Sequence, residues 1–204
     1  MKIKNRFLMC RPDYFSLDYE INPWMNKEVA VNKNNSKNQW RKLVQIYKEN
    51  NCNVETMKPV AGLPDLVFTA NGGFIVGKKV LLANFKYKER QGESPIFERW
   101  FKSHGFEVMR IPDNKILEGQ GEAFLVNDII FAGYGFRSVL KSHEYLKQIF
   151  KRKVVSLRLI DPKFYHLDTC FCPLKNGAVI YYPGAFDKPS ISKIKYNCKK
   201  AIAV

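Results

Sequence analysis

A repeat of about 48 residues constrains the fold of this chain more than any other feature of its sequence. Residues 73–85, 123–134 and 171–182 look alike: each is a short apolar strand, a tight turn and a second apolar strand. Phe74, Phe124 and Phe171 hold equivalent positions, at spacings of 50 and 47 residues. Paired apolar runs around a turn of this kind are typical of β-hairpins. A fixed period of this length indicates stacked or radially arranged modules.

Helical patterns occupy the intervals between the hairpins. Apolar residues recur at helical spacing in residues 37–49, 94–103 and 142–150, and a short strand pattern follows each helix. These strands are predicted at residues 53–57, 106–111 and 154–159, and an opening strand at 7–10 precedes the first helix. Ser94 is predicted to cap the second helix, Pro95 to lie in its first turn, and Gly105 to end it. The sequence therefore predicts an α/β propeller built of ββαβ modules.

Composition narrows the class of protein. The chain has 204 residues, 46% of them hydrophobic, which excludes disorder as its main state. No run of about 18 apolar residues is present, so no membrane role is expected. The first residues show no apolar signal core, so we expect a cytoplasmic protein. A net charge of +15 raises nucleic acid as a partner. The charge is spread along the chain without a basic arm, which favours a solvated surface.

The five cysteines do not suggest a disulfide framework or a metal site. Their number is odd, and Cys170 and Cys172 are separated by one residue rather than by the two of a zinc-binding pair. Alternation along a strand would place these two thiols on one face as small buried hydrophobes. We therefore expect no metal and no cofactor.

Polar residues that could carry chemistry cluster just before each hairpin, in residues 62–73, 117–124 and 165–171. A radial arrangement would bring equivalent positions to one face, with carboxylates, an imidazole and glycines that permit close backbone approach. Simpler readings stay open at this stage. Asp65 could form a turn, Glu118 or Glu122 could be a solvated loop acid, and His166 could be structural with Asp168 orienting its ring.

At these residues the chain resembles the guanidine-modifying superfamily of the pentein fold. That superfamily includes arginine deiminases, arginine dihydrolases, dimethylarginine dimethylaminohydrolases and amidinotransferases. The resemblance covers essentially the whole chain, through four strings in the same order and spacing: Cys10-Arg11-Pro12, Leu63-Pro64-Asp65-Leu66-Val67-Phe68-Thr69-Ala70-Asn71, Glu118-Gly119-Gln120-Gly121-Glu122 and His166-Leu167-Asp168-Thr169. It implies one pentein-like domain over residues 1–204, with about four of five modules and without the C-terminal one.

The resemblance also implies a role for each matched residue. Glu118 and Asp168 would grip a substrate guanidinium, and His166 would be the general acid and base. The residues that line the substrate pocket would be Asp65, Phe68, Asn71, Arg90 and Arg137, the two arginines holding the substrate carboxylate. The string that ends in Asn71 is similar to the one found in the arginine dihydrolase branch. Glu122 stands where aspartate is usual in the family. The substrate stays open between arginine and a methylated arginine.

The resemblance implies a cysteine nucleophile that forms a thiouronium intermediate, in a glycine-rich string close to the C-terminus. The sequence has no such string before Val204, and five modules would need roughly 250 residues. We therefore expect a truncated chain that is inactive alone. A second polypeptide or a homo-oligomer would be its expected partner. The alternatives are an RNA- or ribosome-binding module of pentein type and a gene fragment without function.

Overall fold

The computed structural model describes residues 5–204, which form two units: the first ends at Ala70 and the second runs from Asn71 to Val204. In the first unit, strand β1 (Arg6–Cys10) and strand β2 (Asn53–Met57) pair in parallel, and helix α1 (Lys33–Glu49) connects them. The Asn32 side chain accepts a hydrogen bond from the backbone of Asn35, which caps α1. Helix α1 therefore begins four residues before its predicted start.

Within the described part of the second unit, three sheets follow one plan. Each has an antiparallel hairpin and a third strand parallel to the second hairpin strand, and a helix precedes that third strand. The ββαβ order predicted from the repeat is therefore present in all three. The first module contains β3 (Gly73–Val76), β4 (Lys79–Leu82), α2 (Lys88–Gln91), α3 (Ser94–Ser103) and β5 (Glu107–Met109). The second contains β6 (Ala123–Val126), β7 (Ile129–Tyr134), α4 (His143–Phe150) and β8 (Lys153–Arg158). The third contains β9 (Phe171–Pro173), β10 (Ala178–Tyr181), α5 (Lys188–Asn197) and β11 (Lys200–Ala203).

The hairpin turns contain residues that tolerate a left-handed backbone. Gly77 has φ +62°, Asn127 has φ +54° and Asn176 has φ +65°. Glycine and asparagine are the residues that adopt this conformation at low cost. These residues thus explain where each hairpin reverses.

Two predicted details were wrong. Ser94 does not cap α3, because its hydroxyl donates instead to the carbonyl of Ala83 at 2.8 Å, and Glu93 holds the cap position. Cys170 is buried but precedes β9, whereas Cys172 within that strand is exposed. These two thiols therefore do not share a buried face.

Aromatic and aliphatic side chains of the repeated strands form the core of the second unit. One cluster centres on Phe131, Phe171 and Tyr181. In another, the rings of Phe74 and Phe150 pack edge-to-face with 5.1 Å between their centroids. The marker positions Phe74 and Phe171 are both almost fully buried. The period of the repeat is thus the spacing at which each module adds a side chain to the core. No helix in residues 5–204 is long and apolar enough to cross a bilayer.

Candidate active site

The turns that lead into the three hairpins of the second unit carry its polar residues. Asn71 lies two residues before β3, and Glu118 and Glu122 flank the short 3-10 turn Gly119–Gly121 before β6. His166 caps a similar turn before β9, in which Asp168 is the second residue. The predicted equivalence of these positions is therefore visible in the local structure of each module.

His166 contacts two carboxyl groups. Its Nδ1 lies 2.6 Å from Oε1 of Glu122, and its Nε2 lies 3.5 Å from Oε2 of Glu118. The ring is almost inaccessible to solvent. Burial, together with the positive charges of Arg137 and Arg90, lowers the pKa of His166 well below its usual value. The imidazole is therefore neutral at neutral pH.

Glu118 is paired on both of its oxygens. Its Oε2 accepts from Nη1 of Arg137 at 2.9 Å, and its Oε1 accepts from the backbone N–H of Lys86 at 3.1 Å. The Arg137 guanidinium makes cation–π contacts with the rings of Tyr87 and Tyr165, at 4.8 and 4.9 Å from their centroids. Burial raises the pKa of Glu118, and the charge of Arg137 acts in the opposite direction. The reading of Glu118 as a solvated loop acid is excluded.

Arg90 orders the side chain of Asn71. Its Nε and Nη2 donate to the two carboxylate oxygens of Glu93, each at 2.8 Å, and its Nη1 donates to Oδ1 of Asn71 at 3.0 Å. All three side chains are buried, and the guanidinium also lies 4.6 Å from the centre of the Phe85 ring. With its oxygen held by Arg90, Asn71 keeps its amide N–H groups for other partners.

Asp168 differs from the other acids because its residue surface is exposed and no hydrogen bond or ion pair to its carboxylate occurs among residues 5–204. Protein nevertheless surrounds the carboxyl group and displaces much of its water. This partial desolvation raises the pKa of Asp168 to about 7. Asp168 is thus a carboxylate that a cation from solution can reach.

Gly121 lets the backbone approach the site closely. A methyl group at this position would come within 2.2 Å of Nδ2 of Asn71 and 3.3 Å of Nδ1 of His166. Asn71 and His166 are therefore brought to the same side of the turn Gly119–Gly121. Only a residue without a side chain fits there.

The second unit thus brings together six of the eight predicted site residues: Asn71, Arg90, Glu118, Arg137, His166 and Asp168. Asp65 and Phe68 belong to the first unit. Asp65 is buried in the 3-10 turn Pro64–Val67. Phe68 is half exposed, and its ring packs edge-to-face against Phe15 with 6.0 Å between the ring centroids.

Sequence reasoning did not assign a role to Glu122, Glu93, Tyr87 or Tyr165. The acid that ends the string Glu118-Gly119-Gln120-Gly121-Glu122 was a signal for Glu122, and the i, i+3 spacing from Arg90 was a signal for Glu93. Nothing in the pattern marked the two tyrosines. Their partner Arg137 is distant in sequence, and the cation–π contacts exist only in the folded chain.

Cys170 and Cys198 are not activated thiols. Burial raises the pKa of Cys170 to about 12 and that of Cys198 to about 11. The Cys170 thiol donates weakly to the carbonyls of His166 and Leu167, at 3.8 and 3.6 Å. Within residues 5–204, no group of three or more His, Cys, Asp or Glu side chains is placed to hold a metal ion.

Comparison with known proteins identifies the family. A family profile described as "N,N dimethylarginine dimethylhydrolase, eukaryotic" matches residues 11–197. The chain belongs to this family.

Curated relatives include both arginine dihydrolases and dimethylargininases. The chain is 47% identical over its whole length to the bifunctional arginine dihydrolase/ornithine cyclodeaminase AgrE of Nostoc, of which it covers 30%. It is 50% identical to ArgZ of Synechocystis, also described as a bifunctional arginine dihydrolase/ornithine cyclodeaminase, over 89% of the chain and 26% of that protein. It is 37% identical to the N(G),N(G)-dimethylarginine dimethylaminohydrolase of Mycobacterium tuberculosis, over 98% of the chain and 65% of that enzyme. The chain therefore spans less than two thirds of these relatives.

Solved structures agree with the family. The N-terminal domain of ArgZ, in a cysteine-to-serine variant bound to substrate, superposes with a TM-score of 0.93 at 47% identity, over 98% of this chain and 75% of that one. AgrE in a binary complex with L-arginine has a TM-score of 0.95 at 48% identity, over 98% of this chain and 31% of that one. A dimethylarginine dimethylaminohydrolase at 16% identity has a TM-score of 0.82, which shows the shared α/β fold. These similarities confirm the predicted α/β fold, whereas the number of propeller modules stays a prediction.

Proposed function

We propose that this chain supplies the guanidinium-binding and acid–base residues of a hydrolase acting on the guanidino group of arginine. The observation that carries the proposal is Asp168, an exposed residue whose partly desolvated carboxyl group lies two positions from the neutral imidazole of His166 and has no hydrogen-bond partner in residues 5–204. A planar guanidinium pairs with carboxylate oxygens through its N–H groups. Asp168 can form that pair without first giving up a partner within the described chain.

The other site residues take supporting roles in this proposal. Glu118 is the second acid near the substrate, and Arg137 with its two tyrosines keeps it in place. Asn71, ordered by Arg90, keeps amide N–H groups that can donate to a carboxylate but not to the guanidinium, which has no acceptor. Arg90 and Arg137 are also the proposed partners of the substrate carboxylate, although both guanidinium groups already bind acids of the protein.

His166 is the proposed general acid and base. It would first protonate the amine that leaves the guanidino carbon and would then take a proton from the water that completes hydrolysis. The neutral imidazole can accept a proton from water directly, whereas donation to the amine requires that a neighbouring acid supplies a proton to the ring.

The nucleophile is proposed to come from polypeptide outside these 204 residues. Of the chain's five cysteines, Cys170 is nearest to the site in sequence, but its raised pKa makes it a poor source of thiolate. We therefore expect this chain alone to bind the substrate and not to turn it over. A second polypeptide could supply the thiol.

Arginine is proposed as the ligand in preference to dimethylarginine. The support is the higher identity to the arginine dihydrolases, 47% and 50%, than to the dimethylargininase, 37%. Asn71 adds to this preference through the family string that it completes.

The test is titration calorimetry of the chain with L-arginine, asymmetric dimethylarginine and L-citrulline. Citrulline is the matched control, because it has nearly the shape of arginine but a neutral ureido group. We expect binding of arginine, weaker binding of dimethylarginine and no measurable binding of citrulline. Equal affinity for arginine and citrulline would contradict the proposed role of Asp168.

A second assay tests the assignment of the nucleophile. The chain is incubated with arginine, and ammonia, ornithine and citrulline are measured. No product is expected. Turnover that disappears in Cys170→Ser or Cys172→Ser would show that the nucleophile lies within this chain.

A further inference from the structure

The contact between Glu122 and His166 has the geometry of a shared proton. Oε1 of Glu122 lies 2.6 Å from Nδ1 of His166, and the two residues are 0% and 4% exposed. At this distance a proton must lie between the two atoms, because two lone pairs would repel each other. The proton belongs either to a carboxylic acid or to the imidazole.

The second oxygen of Glu122 distinguishes these cases. Oε2 is buried and has no hydrogen-bond partner within residues 5–204. It faces strand β7 at Gly133, where an added methyl group would lie only 2.9 Å away. An ionised carboxylate would leave negative charge on an oxygen that no group donates to, which is costly in a buried site. A carboxylic acid would leave there only a neutral carbonyl oxygen.

Burial and the surrounding charges also favour a protonated Glu122 and a neutral His166. Burial and the neighbouring acids Glu118 and Asp168 raise the pKa of Glu122 well above its usual value, and Arg137 opposes them. Burial and the charges of Arg137 and Arg90 disfavour protonation of His166 to an imidazolium ion. Both members of the pair are thus held in their neutral forms.

We propose that Glu122 is a neutral carboxylic acid that donates from Oε1 to Nδ1 of His166, and that it stores a proton for the acid–base cycle of the site. The imidazole then has its own proton on Nε2, the nitrogen that faces Glu118. Glu122 is a positioning residue in this scheme, since it acts on the substrate only through His166.

The stored proton lets His166 work without becoming an imidazolium ion. When Nε2 gives its proton to the departing amine, the Oε1 proton crosses to Nδ1, the imidazole stays neutral and Glu122 becomes a carboxylate near Arg137. When Nε2 later takes a proton from water, the Nδ1 proton returns to Oε1, so the protons balance over the cycle. This use of the proton rests on the proposed function, whereas the protonation state of the pair does not.

The tautomer of His166 can be read by nuclear magnetic resonance of the chain labelled with ¹⁵N-histidine at pH 7. The other two histidines are internal references. Nδ1 of His104 lies 2.7 Å from the carbonyl of Trp100, and Nε2 of His143 lies 3.1 Å from that of Gly133, so these nitrogens carry the protons. For His166 we expect a protonated Nε2 and an unprotonated Nδ1 from pH 6 to pH 8.

A second measurement uses the ¹³C signal of the Glu122 side-chain carboxyl, assigned by its disappearance in Glu122→Gln. We expect the shift of a protonated acid at pH 7. A proton on Nδ1 of His166, a doubly protonated ring, or a carboxylate shift for Glu122 would each overturn the proposal. Because neither measurement needs ligand, a failure here is distinguishable from a failure of arginine binding, which would contradict the proposed function instead.

Discussion

The partly desolvated carboxyl group of Asp168 predicts that the proposed binding of arginine depends on pH. Its pKa of about 7 in the free chain means that the acid is partly protonated near neutrality. A guanidinium cation pairs with the ionised form and not with the neutral one. Raising the pH should therefore strengthen binding, and bound arginine should lower the pKa of Asp168.

The size of the effect follows from the fraction of Asp168 that is ionised. With a pKa near 7, about one eleventh of the molecules are ionised at pH 6 and about ten elevenths at pH 8. The apparent dissociation constant is the intrinsic constant divided by the competent fraction. It should fall about tenfold between pH 6 and pH 8, and binding at pH 7 should release about half a proton.

Titration calorimetry at pH 6, 7 and 8, in buffers that differ in ionisation enthalpy, gives both quantities. Asp168→Asn is the matched variant, because the amide keeps the shape of the side chain and removes its charge. We expect this variant to bind arginine weakly and with no change of affinity over the same range. His166 should not contribute, since its pKa is held well below neutrality.

An affinity that stays constant from pH 6 to pH 8 would refute the argument that Asp168 is desolvated. If the affinity of Asp168→Asn for arginine still changes with pH, the titrating group is not Asp168. Either result would also remove the observation on which the proposed function depends.

Three further predictions concern stability. Glu118→Gln leaves the buried guanidinium of Arg137 without its carboxylate and should lower the free energy of unfolding by about 3–5 kcal/mol. The control is Glu98→Gln, which breaks an ion pair with the exposed Arg110 and should cost about 1 kcal/mol or less. Urea denaturation measures both losses. Gly121→Ala should cost about 1–3 kcal/mol, because its methyl group overlaps the amide packed above it. Burial lowers the pKa of His143 to about 4, below its usual value of about 6.5, so the folded chain disfavours the protonated ring. The free energy of unfolding should therefore fall by roughly 3 kcal/mol as the pH drops from 6.5 toward 4. His143→Gln should lack that loss.

Each of these predictions has a clear contrary result. Equal losses for Glu118→Gln and Glu98→Gln would mean that the buried pair is no stronger than an exposed one. Full stability of Gly121→Ala would mean that the turn Gly119–Gly121 can move away from its neighbours. An unchanged pH dependence in His143→Gln would show that His143 is not the group responsible.

Local pattern was sufficient to predict most of the elements. The strand Asn53–Met57 and the helix Ser94–Ser103 have the predicted bounds, because turn residues and hydrophobic period act over short distances along the chain. The strand predicted at residues 106–111 is shorter, at Glu107–Met109, because pairing with β4 extends over only three residues. The arrangement of the modules as four-fifths of a ring stays a prediction.

The sequence by itself determined the repeat, the order of the motifs and the residue types available to the site, because these depend only on neighbours along the chain. Tertiary structure decided which of those residues act together. Glu122 and His166 are 44 positions apart, and Arg90 is 19 positions from Asn71. Their hydrogen bonds form only when modules pack against one another, and burial then sets their charge states. The unassigned acid Glu122 became the partner of the histidine for this reason.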